Sequence, residues 1–181
     1  MDFSQLQKIV GPQNITSAPE QLNQYGKDWT KHFQAKPTAV VFPNSTEEVQ
    51  QLVLWARKNK CALVPSGGRT GLSAAAYATQ GEVVISFERM KSILHFDPIE
   101  PSVLCQAGVI TEQLQNFAKD KGLYYPVDFA ARGSSQIGGN IATNAGGIKV
   151  IRYGLTRNWV AGLKVVTGRG DILDLNKGLV K

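Results

Sequence analysis

Two short stretches of this chain carry the residue types from which an anion-binding site is built. The first is PSGGRTGL, residues 65–72. A strand-like run, CALVP, ends at Pro65, and Gly67, Gly68 and Gly71 permit backbone φ angles closed to other residues. Successive N–H groups in such a turn converge into a nest for an anion. Ser66, Thr70 and Ser73 add hydroxyl donors, and Arg69 adds a charge for a phosphate. The stretch is neither a Walker A loop nor a Rossmann fingerprint, because no GK[ST] follows and the glycines are not spaced GxGxxG. Plain turn chemistry is the competing explanation.

The second stretch is GSSQIGGNIATNAGG, residues 133–147, with five glycines and no charge. Ser134 or Ser135 is placed to cap a short helix starting near Gln136, whose free N–H groups and positive dipole end would suit a pyrophosphate. Gly138 and Gly139 cost such a helix about 1 kcal/mol each relative to alanine. That cost is tolerable where something flat must lie against the backbone. Asn140, Thr143 and Asn144 supply neutral donors and acceptors for a ring or a ribose. A flexible surface loop is the alternative, although Ile137, Ile141 and Ala142 make a poor linker. Two such loops, each after a strand, suggest one elongated ligand with a diphosphate.

Charge and composition narrow the rest. The net charge is +6, but Lys and Arg are scattered and not interleaved with aromatics, which argues against a nucleic-acid partner. Around the loops, Arg132, Lys149, Arg152 and Arg157 share residues 130–157 with no acid, and Arg69 is alone in residues 61–81. Cys61 and Cys105 have no metal-ligand spacing and read as buried thiols. Two histidines, His32 and His95, are too few for a His-rich metal site; Asp28 and His32 could share a helix face as a structural pair. No run approaches the roughly 18 apolar residues of a membrane span, and the N-terminus lacks a signal-peptide pattern, so the cytoplasm is expected.

The elements that must hold the loops are legible. Residues 44–60 read as a helix with Ser45 and Glu48 at capping-box spacing and an apolar stripe of Val49, Leu52, Val53 and Ala56. EVVISF, SILHF and SVLCQAG read as strands, and CALVP as a buried one. Residues 111–122 read as a helix capped by Thr111 with a C′ glycine at Gly122. LYYP reads as a short strand leading to Asp128, and residues 161–175 as a hairpin turning at 168–171. Tyr124, Tyr125, Tyr153 and Trp159 are expected to pack in a core or between lobes. The fold class is α+β, built as two small α/β lobes. One spans 1–98, with N-terminal helices and a small parallel sheet; the other spans 99–181, with a mixed sheet. The end at residues 176–181, straight after a strand, reads as that of a fragment.

PSGGRTGLS together with PVDFAARGSSQIGGNIATNAGGIKVIRYG resembles the PCMH-type (vanillyl-alcohol-oxidase type) FAD-binding domain. Within that family it is most similar to the flavin dehydrogenases of D-lactate, glycolate and D-2-hydroxyglutarate. The resemblance covers about Tyr25 to Lys181 and implies non-covalent FAD, since neither histidine lies in the first loop. It implies that Ser66, Gly67, Gly68, Arg69, Thr70, Gly71 and Leu72 hold the diphosphate. Pro126 and Asp128 would stand beside the flavin, with Gly133, Ser134 and Ser135 closing around the cofactor. Ile137, Gly138, Gly139 and Asn140 would give backbone contacts, and Asn144 and Gly146 would line the adjoining wall. The chain departs from the family at Ala74 and Ala75, where glycines are expected, and at Asn158, where an aspartate is expected. If Ala74 or Ala75 needs a positive φ, the cost is on the order of 1 kcal/mol.

The family continues with a further flavin-binding segment and a C-terminal substrate domain. The expectation is therefore the FAD-binding portion of a D-2-hydroxy-acid dehydrogenase, inactive alone, with its small hydroxy-acid substrate and catalytic groups supplied by the missing domain. The electron acceptor is open. The alternatives are a non-catalytic nucleotide-binding module and a sugar-nucleotide reductase of the same superfamily.

Overall fold

The computed structural model describes residues 3–30 and 32–175. Residues 176–181, the expected abrupt end, lie outside the described residues.

The first sheet is built from β1 (Ile15–Thr16), β2 (Ala39–Val41), β3 (Leu63–Ser66) and β4 (Val83–Ser86), in the order β1-β2-β4-β3. β4 pairs in parallel with both β2 and β3, while β1 joins β2 antiparallel. β2 and β4 are buried along their whole length, as a parallel strand covered on both faces must be, and hence read as apolar runs, broken only by Ser86 at the end of β4. Alternation then divides their side chains. Ala39, Val41, Val83 and Ile85 meet Leu6 and Val10 of α1 (Ser4–Val10) and Leu52, Trp55 and Ala56 of α3 (Thr46–Asn59). Val40 and Val84 face Tyr25, at the end of α2 (Pro19–Tyr25), and Ala78. β3 is the exposed-edge member rather than the buried strand expected, which is where Pro65, lacking an N–H, is tolerated.

α3 starts where the sequence indicates: Ser45 accepts a hydrogen bond from the Glu48 N–H at 3.1 Å. The Glu48 carboxylate reaches back to the Asn44 N–H at 2.8 Å. Among the described residues, no helix includes Asp28 or His32, so the expected shared helix face is not formed.

Among the described residues, the remaining strands form two antiparallel pairs rather than one mixed sheet: β5 (Ile93–Asp97) with β6 (Ser102–Cys105), and β7 (Lys164–Val166) with β8 (Ile172–Asp174). The expected lobe boundary at 98/99 thus falls inside the β5–β6 hairpin. A second core gathers Val109, Ile137 and Leu114 of α4 (Thr111–Asp120), with Ile93, Val103 and Cys105 packed against it. Gly122 follows α4 with φ +72°, as a C′ glycine should. The LYYP segment forms no strand; Gln115 holds the Val127 carbonyl beyond it at 2.8 Å. The β7–β8 turn docks on α3, where Gln50 donates to the Gly170 carbonyl and Arg57 to that of Arg169. No helix among the described residues is long and apolar enough to cross a membrane.

Candidate functional site

The two glycine stretches meet. A side chain at Gly68 would run into the carbonyl of Ser134, and the side chain of Gln136 lies flat against Gly67. Close approach, not φ, is why Gly68 is glycine; none of Gly67, Gly68 and Gly71 has a positive φ. The left-handed angles fall on Arg69 (φ +58°) and Ala74 (φ +58°), with Asn144 (φ +48°) in the second stretch. For alanine such a conformation is a strain. Backbone strain of this kind concentrates at functional sites.

What the first loop offers is backbone. Among the described residues, no N–H from Gly68 to Ser73 donates to a protein group. Six successive donors are left to solvent or to a ligand, and an oxyanion is the group that satisfies several at once. The side chains expected to help are largely committed. Ser66 is fully buried and bonds the Tyr25 carbonyl at 3.2 Å. Arg69 lies 4.5 Å over the Tyr25 ring and pairs with Glu88 at 3.0 Å. Glu88 also accepts from the Tyr25 hydroxyl at 2.6 Å. Burial first, and then this bond, push the Tyr25 phenol up to about 12. Thr70 is half-buried, while Gly71, Leu72 and Ser73 are exposed. The absence of acids around Arg69 in sequence does not hold in space, because Glu88 and Asp28 fold against this loop.

The second stretch does form a short helix, α5 (Ile137–Ala142), but Gln136 is its N-cap and no serine side chain caps it. Its first N–H groups are already spent: Ile137 donates to Val109 and Gly138 to Ala107, each at 2.8 Å. Two of the donors expected to face a pyrophosphate at this helix end are therefore taken by protein carbonyls. Ser135 turns inward to Thr111 at 2.7 Å, and the Asn140 amide donates to the same Thr111 hydroxyl at 2.6 Å. Thr111 is the first residue of α4 and the hub of this buried network, not the helix cap. Thr143 bonds the Gly139 carbonyl, and Asn144 accepts from the Arg157 N–H. Ser135 and Asn140 are buried in the wall, while the exposed Thr143 spends its hydroxyl proton on the Gly139 carbonyl.

The other glycines divide by their surroundings. Gly138 leaves room for Ala107, Gly146 for Leu155 and Gly147 for the Asp128 carbonyl, whereas Gly133 would bring a Cβ to 3.3 Å from a Glu112 carboxylate oxygen. Gly139 has nothing within 4 Å of where a Cβ would sit. Nothing in the protein requires a glycine there, so the open space over it suits a group lying flat on α5.

Asp128 is buried and held by Lys149 at 2.9 Å and Arg132 at 3.0 Å. The hydrogen bond from Lys149, then that from Arg132, keep its carboxyl below the ordinary range. Lys149 also bonds the Tyr124 hydroxyl at 2.7 Å, and Arg132 reaches Glu112 at 3.3 Å. Two of the four basic residues of 130–157, Arg132 and Lys149, thus have acids facing them from outside that stretch. Pro126 beside Asp128 is fully buried. Tyr124 packs on Tyr153, in α6 (Val150–Tyr153), and Tyr125 on Trp159, both edge-on, although Tyr124 and Trp159 remain exposed on one side. Asn158 accepts from the Leu155 N–H, a turn-closing role that needs no charge. No cluster of three or more His, Cys, Asp or Glu able to hold a metal occurs among the described residues.

Two buried polar atoms beside the first loop have no partner: Asp28 Oδ2 near Gly71 and Gln136 Oε1 near Gly67. Sequence reasoning singled out neither for this site. The free backbone donors fit a diphosphate, while the open cradle at Gly139 and the unpaired acceptors beside the loop fit the ring and the hydroxyl groups that flank it in a dinucleotide.

Comparison with known proteins agrees with this geometry. Residues 37–176 match the sequence model of a family described as "FAD binding domain". A D-2-hydroxyglutarate dehydrogenase from Stutzerimonas stutzeri (strain A1501) is 65% identical over 99% of this chain, which spans 39% of that protein. The mitochondrial D-2-hydroxyglutarate dehydrogenase of Arabidopsis thaliana is 37% identical over 96% of the chain, which spans 31% of it. Among solved structures, an alkyldihydroxyacetonephosphate synthase superposes with TM-score 0.86 at 22% identity, covering 97% of this chain and 35% of its own. That likeness establishes the fold.

Proposed function

Because the chain belongs to the FAD-binding-domain family, we propose that it is the cofactor-holding part of an FAD-dependent dehydrogenase that oxidises a D-2-hydroxy acid, with D-2-hydroxyglutarate the foremost substrate. The observation that carries the reading is the run of unspent N–H groups from Gly68 to Ser73 against the Ser134–Gln136 segment. The two relatives named for D-2-hydroxyglutarate support the substrate. Bound FAD supplies a hydride acceptor for the substrate's α-carbon. The chain's own share is to hold the diphosphate by backbone donors and to set the flavin against α5 and the Asp128 segment.

Asp128 is a poor candidate for the base, since two cations hold it ionised and satisfied. The catalytic groups and the substrate pocket are assigned to the remainder of a longer protein, consistent with a chain spanning about two fifths or less of these relatives. We place the division between lobes just before β5, because Ile93 packs on the second core. The cytoplasm is the proposed compartment, on the greater likeness to the Stutzerimonas protein, whose name carries no organelle, than to the Arabidopsis one.

Full-length protein should reduce a dye with D-2-hydroxyglutarate, and this chain alone should not. Turnover by the chain alone would overturn the assignment of catalysis to the missing part.

A further inference from the structure

Asp28 is 7% exposed and Gln136 6% exposed, and each keeps one oxygen without a partner. On Asp28 the other oxygen is taken by the Thr30 N–H at 2.9 Å and hydroxyl at 2.7 Å, so Oδ2 alone is unspent. Leaving a buried acceptor unpaired is costly, which makes two beside one loop unlike ordinary core packing. Their positions are specific. Oε1 of Gln136 lies 3.4 Å from the Cβ position of Gly67, and Oδ2 of Asp28 lies 3.5 Å from that of Gly71. One stands where the run of free N–H groups begins, the other in its later half.

A diphosphate has only acceptors, so neither oxygen can serve it. In a dinucleotide, however, the diphosphate is flanked on both sides by polyols. Gln136 opens α5, the helix with the open cradle at Gly139, and therefore belongs to the side of the flat ring. Asp28 sits on a separate segment at the far side of the loop, tied to it by the Trp29 N–H on the Gly71 carbonyl. We propose that Asp28 Oδ2 accepts a ribose hydroxyl of the adenosine half of FAD, and that Gln136 Oε1 accepts a ribityl hydroxyl of the flavin half. This rests on the reading of the chain as an FAD holder. It adds two binding side chains, Asp28 outside both glycine motifs and Gln136 within the second, and explains why each is buried with an oxygen to spare.

The test is calorimetric titration of the purified chain with FAD, ADP and 2′,3′-dideoxy-ADP, alongside the thermal midpoint of the ligand-free protein. Asp28→Asn should weaken FAD and ADP by about tenfold or more while leaving dideoxy-ADP unchanged. Gln136→Leu should weaken FAD by about fivefold or more and leave ADP unchanged. It should also hold or raise the ligand-free midpoint, because it removes an unpaired acceptor. Equal losses for ADP and dideoxy-ADP in Asp28→Asn, or a lowered midpoint with weakened ADP in Gln136→Leu, would mean structural roles and overturn the proposal. Wild-type protein that binds FAD while both variants bind it equally well overturns this inference alone. A folded wild type that binds neither FAD nor ADP overturns the underlying reading as well.

Discussion

Replacing Ala74 with glycine should stabilise this protein, and replacing its neighbour Ala75 should not. Ala74 has φ +58°, whereas Ala75 is absent from the left-handed region. A non-glycine residue held there costs roughly 1–2 kcal/mol from the approach of Cβ to the following carbonyl oxygen. Glycine returns about 0.4–1 kcal/mol of that through greater freedom of the unfolded chain. The net expectation for Ala74→Gly is a gain of about 1 kcal/mol, and for Ala75→Gly a loss of about 0.4–1 kcal/mol. In a chain of 181 residues each kcal/mol moves the midpoint by about 2–4 °C. The two variants should therefore bracket the wild type in a calorimetric melt, with Ala74→Gly uppermost. If both fall below it by similar amounts, the φ-based account of this loop is wrong.

Gly139→Ala should raise thermal stability by about 0.8–1 kcal/mol, the helix-propensity gain with open space for the methyl. It should weaken FAD at least about tenfold if the cofactor lies on α5; unchanged affinity in a flavin-fluorescence titration would empty the cradle of meaning. Gly68→Ala should lower both the melting midpoint and FAD retention, because its methyl collides with the Ser134 carbonyl that seats one loop on the other. Asp128, held ionised by Lys149 and Arg132, contributes stability above the ordinary carboxylate value of 3.8, and loses it as pH falls through the depressed one. Asp128→Asn should flatten the decline of midpoint with acid below about pH 4; an unchanged slope would show the pairs to be inert. FAD should leave the denatured protein completely, since neither His32 nor His95 lies in the two glycine stretches; a fluorescent band on a denaturing gel would contradict that.

The sequence made local structure plain where the deciding partners are near neighbours. The Ser45–Glu48 bond, the apolar run of β4 and the left-handed Gly122 are each set within a few residues. It misled where partners come from far along the chain. Arg69 looked free for a phosphate because Glu88 is 19 residues away, and the α5 N–H groups looked open because the carbonyls of Val109 and Ala107 lie outside the motif. Gly68 looked like a turn residue, yet its reason is the backbone of Ser134. The two motifs lie against each other, and on their hydrogen bonds it is the first that keeps free donors while the second mostly builds the wall behind them. Asp28 and Gln136 carried no signal, since only burial without a partner marks them.

The central claim is that backbone amides of the first loop hold the diphosphate, and residue-resolved amide hydrogen exchange tests it most directly. Without ligand, the amides of Gly68 to Ser73 should exchange fast and those of Ile137 and Gly138 slowly. With saturating FAD, Gly68 to Ser73 should become protected while Ile137 and Gly138 stay as they were. Bound FAD that leaves the first-loop amides unprotected and alters those of α5 instead would contradict the account.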